Sequence, residues 1–329
     1  MNSCTLLSSR LSKMAIGSTR RFSMERLTPK DFQIVKNPSN EQIEAFEKIV
    51  GPFNDIKLLK ETMKDKYHLH LLCVKDSDKV VSGSQSVTYK SLNGSDDFQT
   101  FGLSYQPKDT FNLLPHLMQD MCHELGSVAM NSGGCVDSKN GAVWRKVLHT
   151  KVRGAAYYVS HYTASEIINP DLEFEGISVK EFSEVPAEDV VGYDNSIFPY
   201  ERKDFMLAKF RKGFGRVAYD KSGKVVGIGL VSMDKKTGNC DIGPMYCDGT
   251  NVAQAIFQSI VNKLPLKDVN EIRVRCSDHF EGSATWIRPF LSCRHEMTPF
   301  AHIKFNRIIP DGLDLSRVFV NSNPSNAPC

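Results

Sequence analysis

GRVAYDKSGKVVGIGLVSMDKKTGNCDIGPMYCDGTNVAQAIFQSIVNKL, residues Gly215–Leu264, packs four elements into one stretch. Two β-branched runs, Val217–Tyr219 and Val225–Val231, flank Asp220-Lys221-Ser222-Gly223, which is hairpin chemistry. A third run, Cys240–Tyr246, carries Gly243-Pro244. Proline cannot donate to a ladder, so this strand is expected to bulge or splay there. Beyond Cys247-Asp248-Gly249-Thr250-Asn251, the residues Val252, Ile256, Ile260 and Leu264 recur every fourth position, and Ala253, Phe257 and Val261 widen the same face. That period predicts an amphipathic helix with Thr250 or Asn251 as its N-cap. A small-residue loop at a helix start offers backbone N–H groups to an anion.

The same plan is legible upstream. A strand over Asp31–Val35 leads to Ser39-Asn40-Glu41-Gln42, a capping box that opens a helix reaching about Val50. Asp55–Lys66 reads as a second helix, and His68–Val74 with Lys79–Tyr89 as a hairpin. Phe98–Tyr105 reads as a strand, Leu113–Met130 as a long helix, Asp137–Leu148 as a strand end and short helix, and Val152–Tyr162 as a strand. Gly102 and Tyr105 each have a counterpart 141 positions later, Gly243 and Tyr246. Cys135, Asp137 and Gly141 stand at the same offset from Cys276, Asp278 and Gly282, and Trp144 precedes Trp286 by one position more, with one residue inserted before the second tryptophan. Echoes in order at one offset predict a duplication, residues 24–170 and 177–329, joined by a linker at 171–176.

A chain of 329 residues has room for about two domains. Its 41% hydrophobic and 24% charged residues are those of a globular protein, and no apolar run approaches the length of a membrane helix. A net charge of +3, without basic clusters or aromatic–basic alternation, argues against nucleic acid as partner. Nine scattered cysteines without a CxxC fit free thiols in a reducing compartment. Residues 1–24 hold Arg10, Lys13, Arg20, Arg21 and six serines but no acid. This composition fits a mitochondrial presequence ending near Ser23, with the matrix as destination; a disordered tail, or initiation at Met14 or Met24, is the alternative.

The order strand, helices, hairpin, bulged strand, loop, helix, strand, helix resembles the GNAT N-acetyltransferase fold, an α/β (α+β) mixed and mostly antiparallel twisted sheet with a splayed central strand. The second half is similar to the YitH-type acetyltransferase domain, on Asn195-Ser196-Ile197-Phe198-Pro199, Arg202, Gly215-Arg216-Val217-Ala218, Gly227, Ile242-Gly243-Pro244-Met245-Tyr246 and Asp311–Val318. The first half resembles a diverged partner domain of an uncharacterised nematode-expanded group. The resemblance implies a tandem protein that binds acetyl-CoA, or another acyl-CoA, as co-substrate without a metal. It implies acylation of a small amine by direct attack on the thioester. The splayed strand and following loop would then hold the pantetheine arm and pyrophosphate, which puts Met245, Tyr246, Cys247, Gly249, Thr250 and Asn251 at the cofactor site.

Both halves depart from that pattern. The first has Tyr105-Gln106-Pro107-Lys108-Asp109-Thr110 and then Phe111, Leu113 and Pro115 where arginine and glycines would stand; the second lacks the arginine and carries Asp248. Trp144 and Trp286 occupy the position of the usual tyrosine acid, and an indole N–H does not deliver a proton at neutral pH. Tyr246 as a donor to the thioester, and Asp278, His279 or Glu281 as general base beyond the Glu271–Cys276 strand, are the candidate catalytic residues. The alternatives are a degenerate module that binds an acyl-CoA or an amine without turnover, and a structural dimerisation protein; a homodimer is compatible with each.

Other motifs fail on context. Gly213–Ala218 matches GxGxxA but precedes a strand, and His123-Glu124 lacks the second histidine of HExxH. Cys122-His123 and His68-x-His70 are isolated pairs, and Cys247 has no His–Asp constellation beside it.

Overall fold

The computed structural model describes residues 29–105, 107, 117, 120–121, 129–137, 145, 149–277, 285–293, 297–321 and 323. The basic N-terminal segment, most of the Leu113–Met130 helix and nearly all of the short helix before Leu148 fall outside them. The strands of the first half are β1 Phe32–Val35, β2 Tyr67–Val74, β3 Val80–Tyr89, β4 Phe98–Tyr105, β5 Asn131–Asp137 and β6 Val152–Thr163. Those of the second half are β7 Ser178–Glu181, β8 Arg216–Tyr219, β9 Val225–Asp234, β10 Asn239–Cys247, β11 Glu271–Ser277, β12 Thr298–Phe305 and β13 Val318–Val320. Helices α1 Asn40–Val50 and α2 Ile56–Met63 precede β2; α3 Ala187–Asn195 and α4 Lys203–Lys212 precede β8; α5 Thr250–Val261 follows β10.

Local chemistry explains the boundaries. Ser39 and Gln42 close the expected capping box on α1, which buries Ile43 and Phe46. In the β8–β9 turn, Asp220 Oδ1 accepts from the backbone N–H groups of Ser222 and Lys224, and Gly223 takes a φ of +82°. One expectation is corrected: the N-cap of α5 is Gly249, without a side-chain cap, and Thr250 and Asn251 are the first helical residues. The helix starts one residue early because Gly249 continues in extended conformation, φ −177°. Below the sheet α5 buries Val252, Ile256, Phe257, Ile260 and Val261, the face its period predicted.

All thirteen strands belong to one sheet, ordered β1-β2-β3-β4-β5-β12-β6-β11-β13-β10-β9-β8-β7. The two halves repeat one plan of strand, two helices, hairpin, splayed strand and two further strands, to which the second half adds β13. They also exchange strands. β12 of the second half pairs with β5 of the first, β6 of the first pairs with β11 of the second, and β6 and β12 pair with each other. Glycine makes that junction possible. A Cβ on Gly133 or Gly154 would stand 2.7 Å from the Phe305 ring, so the ring lies where two side chains are missing.

One apolar cluster spans both halves, from Phe46, Leu59 and Phe98 to Ile197, Phe198, Phe210 and Phe305. Phe198 meets Tyr89 edge to face at 5.2 Å. Residues 171–176 carry no helix or strand, and the sheet runs unbroken across that boundary.

Candidate active site

In each half the fourth strand parts from its parallel neighbour. β4 pairs with β5 from Phe98 to Phe101, against Asn131 to Gly134. Then β5 continues with β12, Cys135 facing Ile303, while Ser104 and Tyr105 keep only β3. Among the described residues, no strand pairs with the β5-side edge of Gly102–Tyr105. That is an open wedge with backbone donors and acceptors along one wall.

The second wedge is closed. β10 pairs with β11 over Asn239–Asp241 alone, and its register against β9 shifts between Ile242 and Met245, where Gly243 takes a φ of +122° that side-chain-bearing residues rarely adopt. Into the gap comes β13: Val320 pairs with Met245 and with Cys276, and Val318 with Tyr246. The strand edge that the resemblance assigns to a pantetheine arm is therefore occupied by the chain itself. Phe319, fully buried, packs its ring 6.4 Å from that of Trp286.

The residues around this closed wedge have partners of their own. Met245, Tyr246 and Cys247 are buried. The Tyr246 hydroxyl accepts a 3.4 Å bond from Arg202, whose guanidinium grips Asp194 at 2.7 and 3.0 Å. Burial, with Asp248 adding to it, pushes the Cys247 thiol well above its ordinary pKa, so the sulfur is not a ready nucleophile. The Asp248 N–H donates to the Val226 carbonyl, and its carboxylate accepts from Tyr193 at 2.7 Å and Arg317 at 3.4 Å. Arg317 also donates to Asp314 and to the Ser196 carbonyl and lies over the Tyr193 ring. It stands just ahead of β13 and ties it to the start of α5. Gly249 is open, with nothing within 4 Å of a built Cβ; Thr250 is half-buried and Asn251 exposed. Trp286 is a core residue against Phe257 and Phe290's cluster. Asp278, His279, Glu281, Trp144 and Thr110 lie outside the described residues.

A cavity of about 490 Å³ adjoins the open wedge at Leu103 of β4. One wall is the α1–α2 connection, Val50–Asn54; the floor comes from His161 on β6 and Glu271, Arg273 and Arg275 on β11. His161 Nδ1 lies 2.8 Å from Glu271 Oε1. Asp241, 2% exposed, accepts from Arg273 at 2.7 Å and Arg275 at 3.0 Å. Burial pulls the Arg275 pKa down, opposed by Asp241. Cys240, also in the wall, has its thiol pushed up to about 12 by burial and by Asp241. The cavity thus offers a histidine, carboxylates and guanidinium groups, but no activated thiol.

Sequence reading found the Glu271–Cys276 strand and missed its role. The available signal was alternation: Glu271, Arg273 and Arg275 are charged at every second position of an otherwise buried strand, so one face is polar and covered.

The family model described as "Protein of unknown function (DUF1248)" matches residues 29–197, and that described as "Acetyltransferase (GNAT) domain" matches residues 190–279. No curated protein matches the chain. Among solved structures, a putative acetyltransferase from Pyrococcus horikoshii superposes with a TM-score of 0.66 at 17% identity, over 92% of this chain and 98% of its own. A GCN5-related N-acetyltransferase from Sphaerobacter thermophilus gives 0.53 at 14% identity, over 87% and 99%. A tandem GNAT protein from the clavulanic acid biosynthesis pathway gives 0.54 at 9% identity, over 83% and 97%. At these identities the likeness is one of fold. The chain belongs to the DUF1248 family, with a GNAT acetyltransferase domain in its second half and the architecture of a tandem GNAT protein.

Proposed function

We propose that the protein transfers an acyl group from an acyl-CoA, most simply acetyl-CoA, to an amine, and that the acyl-CoA lies in the wedge of the first half. The observation that carries this is the contrast between two equivalent wedges. Met245 and Tyr246 are paired by strands on both sides, whereas among the described residues no strand pairs with the β5-side edge of Gly102–Tyr105, where an extended arm would lie. The fit is to backbone, which suits pantetheine, an amide-bearing chain that pairs as a strand does. Residues 108–116, which would wrap the pyrophosphate, lie outside the described residues.

A thioester at the wedge would present its carbonyl carbon beside Leu103, at the mouth of the cavity. The acyl-CoA supplies an activated carbonyl and a thiolate leaving group. The protein holds the arm, excludes bulk water from one side, and orients the amine in the cavity for direct attack. Of the buried cysteines, Cys240 in the cavity wall and Cys247 and Cys276 beside the second wedge have raised pKa values and make poor nucleophiles. The second half then serves as scaffold: it contributes β10 and β11 to the cavity and closes its own wedge.

Amide hydrogen exchange with and without acetyl-CoA tests the assignment. Protection is expected in peptides covering 98–107 and not in those covering 242–252. Protection confined to 242–252 would move the site to the second half. A melting curve unchanged at millimolar acetyl-CoA would remove the acyl-CoA reading, since a ligand at 100 times its Kd adds about 2.7 kcal/mol of stability.

A further inference from the structure

We propose that the acceptor amine carries a carboxylate, as an α-amino acid does, with Arg273 holding the carboxylate and His161, backed by Glu271, taking the proton from the amine. This names the substrate class of the cavity and rests on the acyl-transfer reading.

The placement follows from register. Arg273 and His161 are cross-strand partners on β11 and β6, and Glu271 and Arg275 sit two positions either side of Arg273. Partners across an antiparallel pair share a face, as do alternate residues of one strand. All four line the same cavity.

Arg273 is held for recognition by its inner edge. Its Nε donates to Asp241, and its guanidinium lies 5.3 Å from the centre of the Phe53 ring. Asp241 is itself buried and fixed by Arg275. The two terminal nitrogens of Arg273 have no hydrogen-bond partner among the described residues, and the side chain keeps 27% exposure. A planar fork anchored at Nε presents two parallel donors, the geometry that matches two carboxylate oxygens.

The other charges suit the ammonium end. Glu271 lies beside Arg273 and binds His161; Asp234, also in the wall, is satisfied by its own turn through the Lys236 N–H and the Thr237 hydroxyl. Asp241 against the fork and Glu271 beside it disfavour a dianionic phosphate and favour a zwitterion. With Nδ1 engaged by Glu271, the nitrogen of His161 left for substrate is Nε2, and the carboxylate fixes that tautomer. The ammonium gives one proton to Nε2 and thence to solvent. The freed lone pair forms the C–N bond as the C–S bond breaks, and the second amine proton ends on the leaving thiolate. Amide, thiol and one proton are the products.

The test separates binding from turnover. Standard amino acids and their α-amides are titrated against the protein without acyl-CoA, by thermal shift and calorimetry. At least one acid is expected to bind tenfold or more tighter than its amide. Arg273→Gln should abolish that difference, and Arg273→Lys, which keeps a charge against Asp241, should reduce it with Tm unchanged. With acetyl-CoA and thiol-release detection, His161→Gln should lower kcat with KM for the acid held. Amides bound as well as acids, or a preference that survives Arg273→Gln, would overturn the proposal whether or not acyl-CoA is used. Acid binding intact without acyl-CoA binding would overturn the acyl-transfer reading and leave an amino-acid site.

Discussion

Arg202→Leu is expected to be among the most damaging single substitutions in the second half, and the structure gives its size. Arg202 and Asp194 are each 2% exposed at the side chain, and the guanidinium meets both carboxylate oxygens, at 2.7 and 3.0 Å. Burial pushes the Asp194 pKa up while Arg202 pulls it down. Leucine in place of Arg202 leaves a carboxylate in the core without its cation, a loss of about 3–5 kcal/mol. For a chain this long, each kcal/mol lowers Tm by about 2–4 °C, so the fall should be roughly 6–20 °C. Replacing both partners by apolar residues of similar volume, Asp194→Leu with Arg202→Met, should restore most of it, because the desolvation cost leaves with the charges. The pH dependence has a definite sign. In the single variant the Asp194 carboxyl, raised by burial above its unfolded value, binds a proton more readily folded than unfolded. Its stabilising protonation is present at low pH and lost as pH rises, so the deficit should narrow between pH 7 and pH 5. Scanning calorimetry of wild type, single and double variants at the two pH values decides it. A single variant melting within 2 °C of wild type, or a double variant worse than the single, would refute the reasoning.

Gly249→Val should leave acetyl-CoA affinity and Tm nearly unchanged, within about 0.5 kcal/mol, since the backbone is extended and the Cβ meets nothing; calorimetry and melting check both. Phe319→Ala should cost about 3–5 kcal/mol by emptying the core beside Trp286, read as a lowered denaturation midpoint. For Asp314, burial acts to raise the carboxyl pKa, but the Ser316 and Arg317 hydrogen bonds outweigh it and the net pKa is lowered. Its contribution is therefore present above the unfolded pKa of about 3.9 and lost as pH falls through the lower folded value, so hydrogen exchange over 315–320 should accelerate below about pH 4. Iodoacetamide in native buffer should modify exposed Cys293 well before Cys240, Cys247 or Cys276, checked by peptide mass spectrometry.

What the sequence made legible was local. The capping box at Ser39, the turn at Asp220 and the four-residue period from Val252 each act within one element, so their residues point to one structure wherever the element sits. β5 escaped because its residues, Asn-Ser-Gly-Gly-Cys-Val-Asp, have neither β-branched density nor alternation. Gly133 is there to admit the Phe305 ring, and Phe305 lies far away in sequence on a strand of the other half. The cavity escaped for the same reason: Asn54, Leu103, His161 and Arg273 come from both halves, and only the exchange of β6 and β12 brings them together. The repeat offset foretold two units; it carried no sign that they would share strands.

The two wedges differ for a topological reason. Each half places a strand at the junction, β6 or β12, and the route the chain takes out of that strand decides the wedge. After β6 the chain must reach β7, at the far edge of the sheet, and residues 164–177 are spent on that crossing; Leu172 is held on the way by Gln258 of α5. They cannot return to lie between β4 and β5. After β12 no such crossing is required, and residues 306–320 fold back over α3, where Asp314 bonds Ile197 and Arg317 bonds Ser196, to lay β13 between β10 and β11. A duplicated fold with one continuing connection and one returning segment therefore closes one wedge with β13 and, among the described residues, inserts no strand in the other. It is the first half, whose loop departs furthest from a phosphate-binding pattern, in which no described strand lies on that edge.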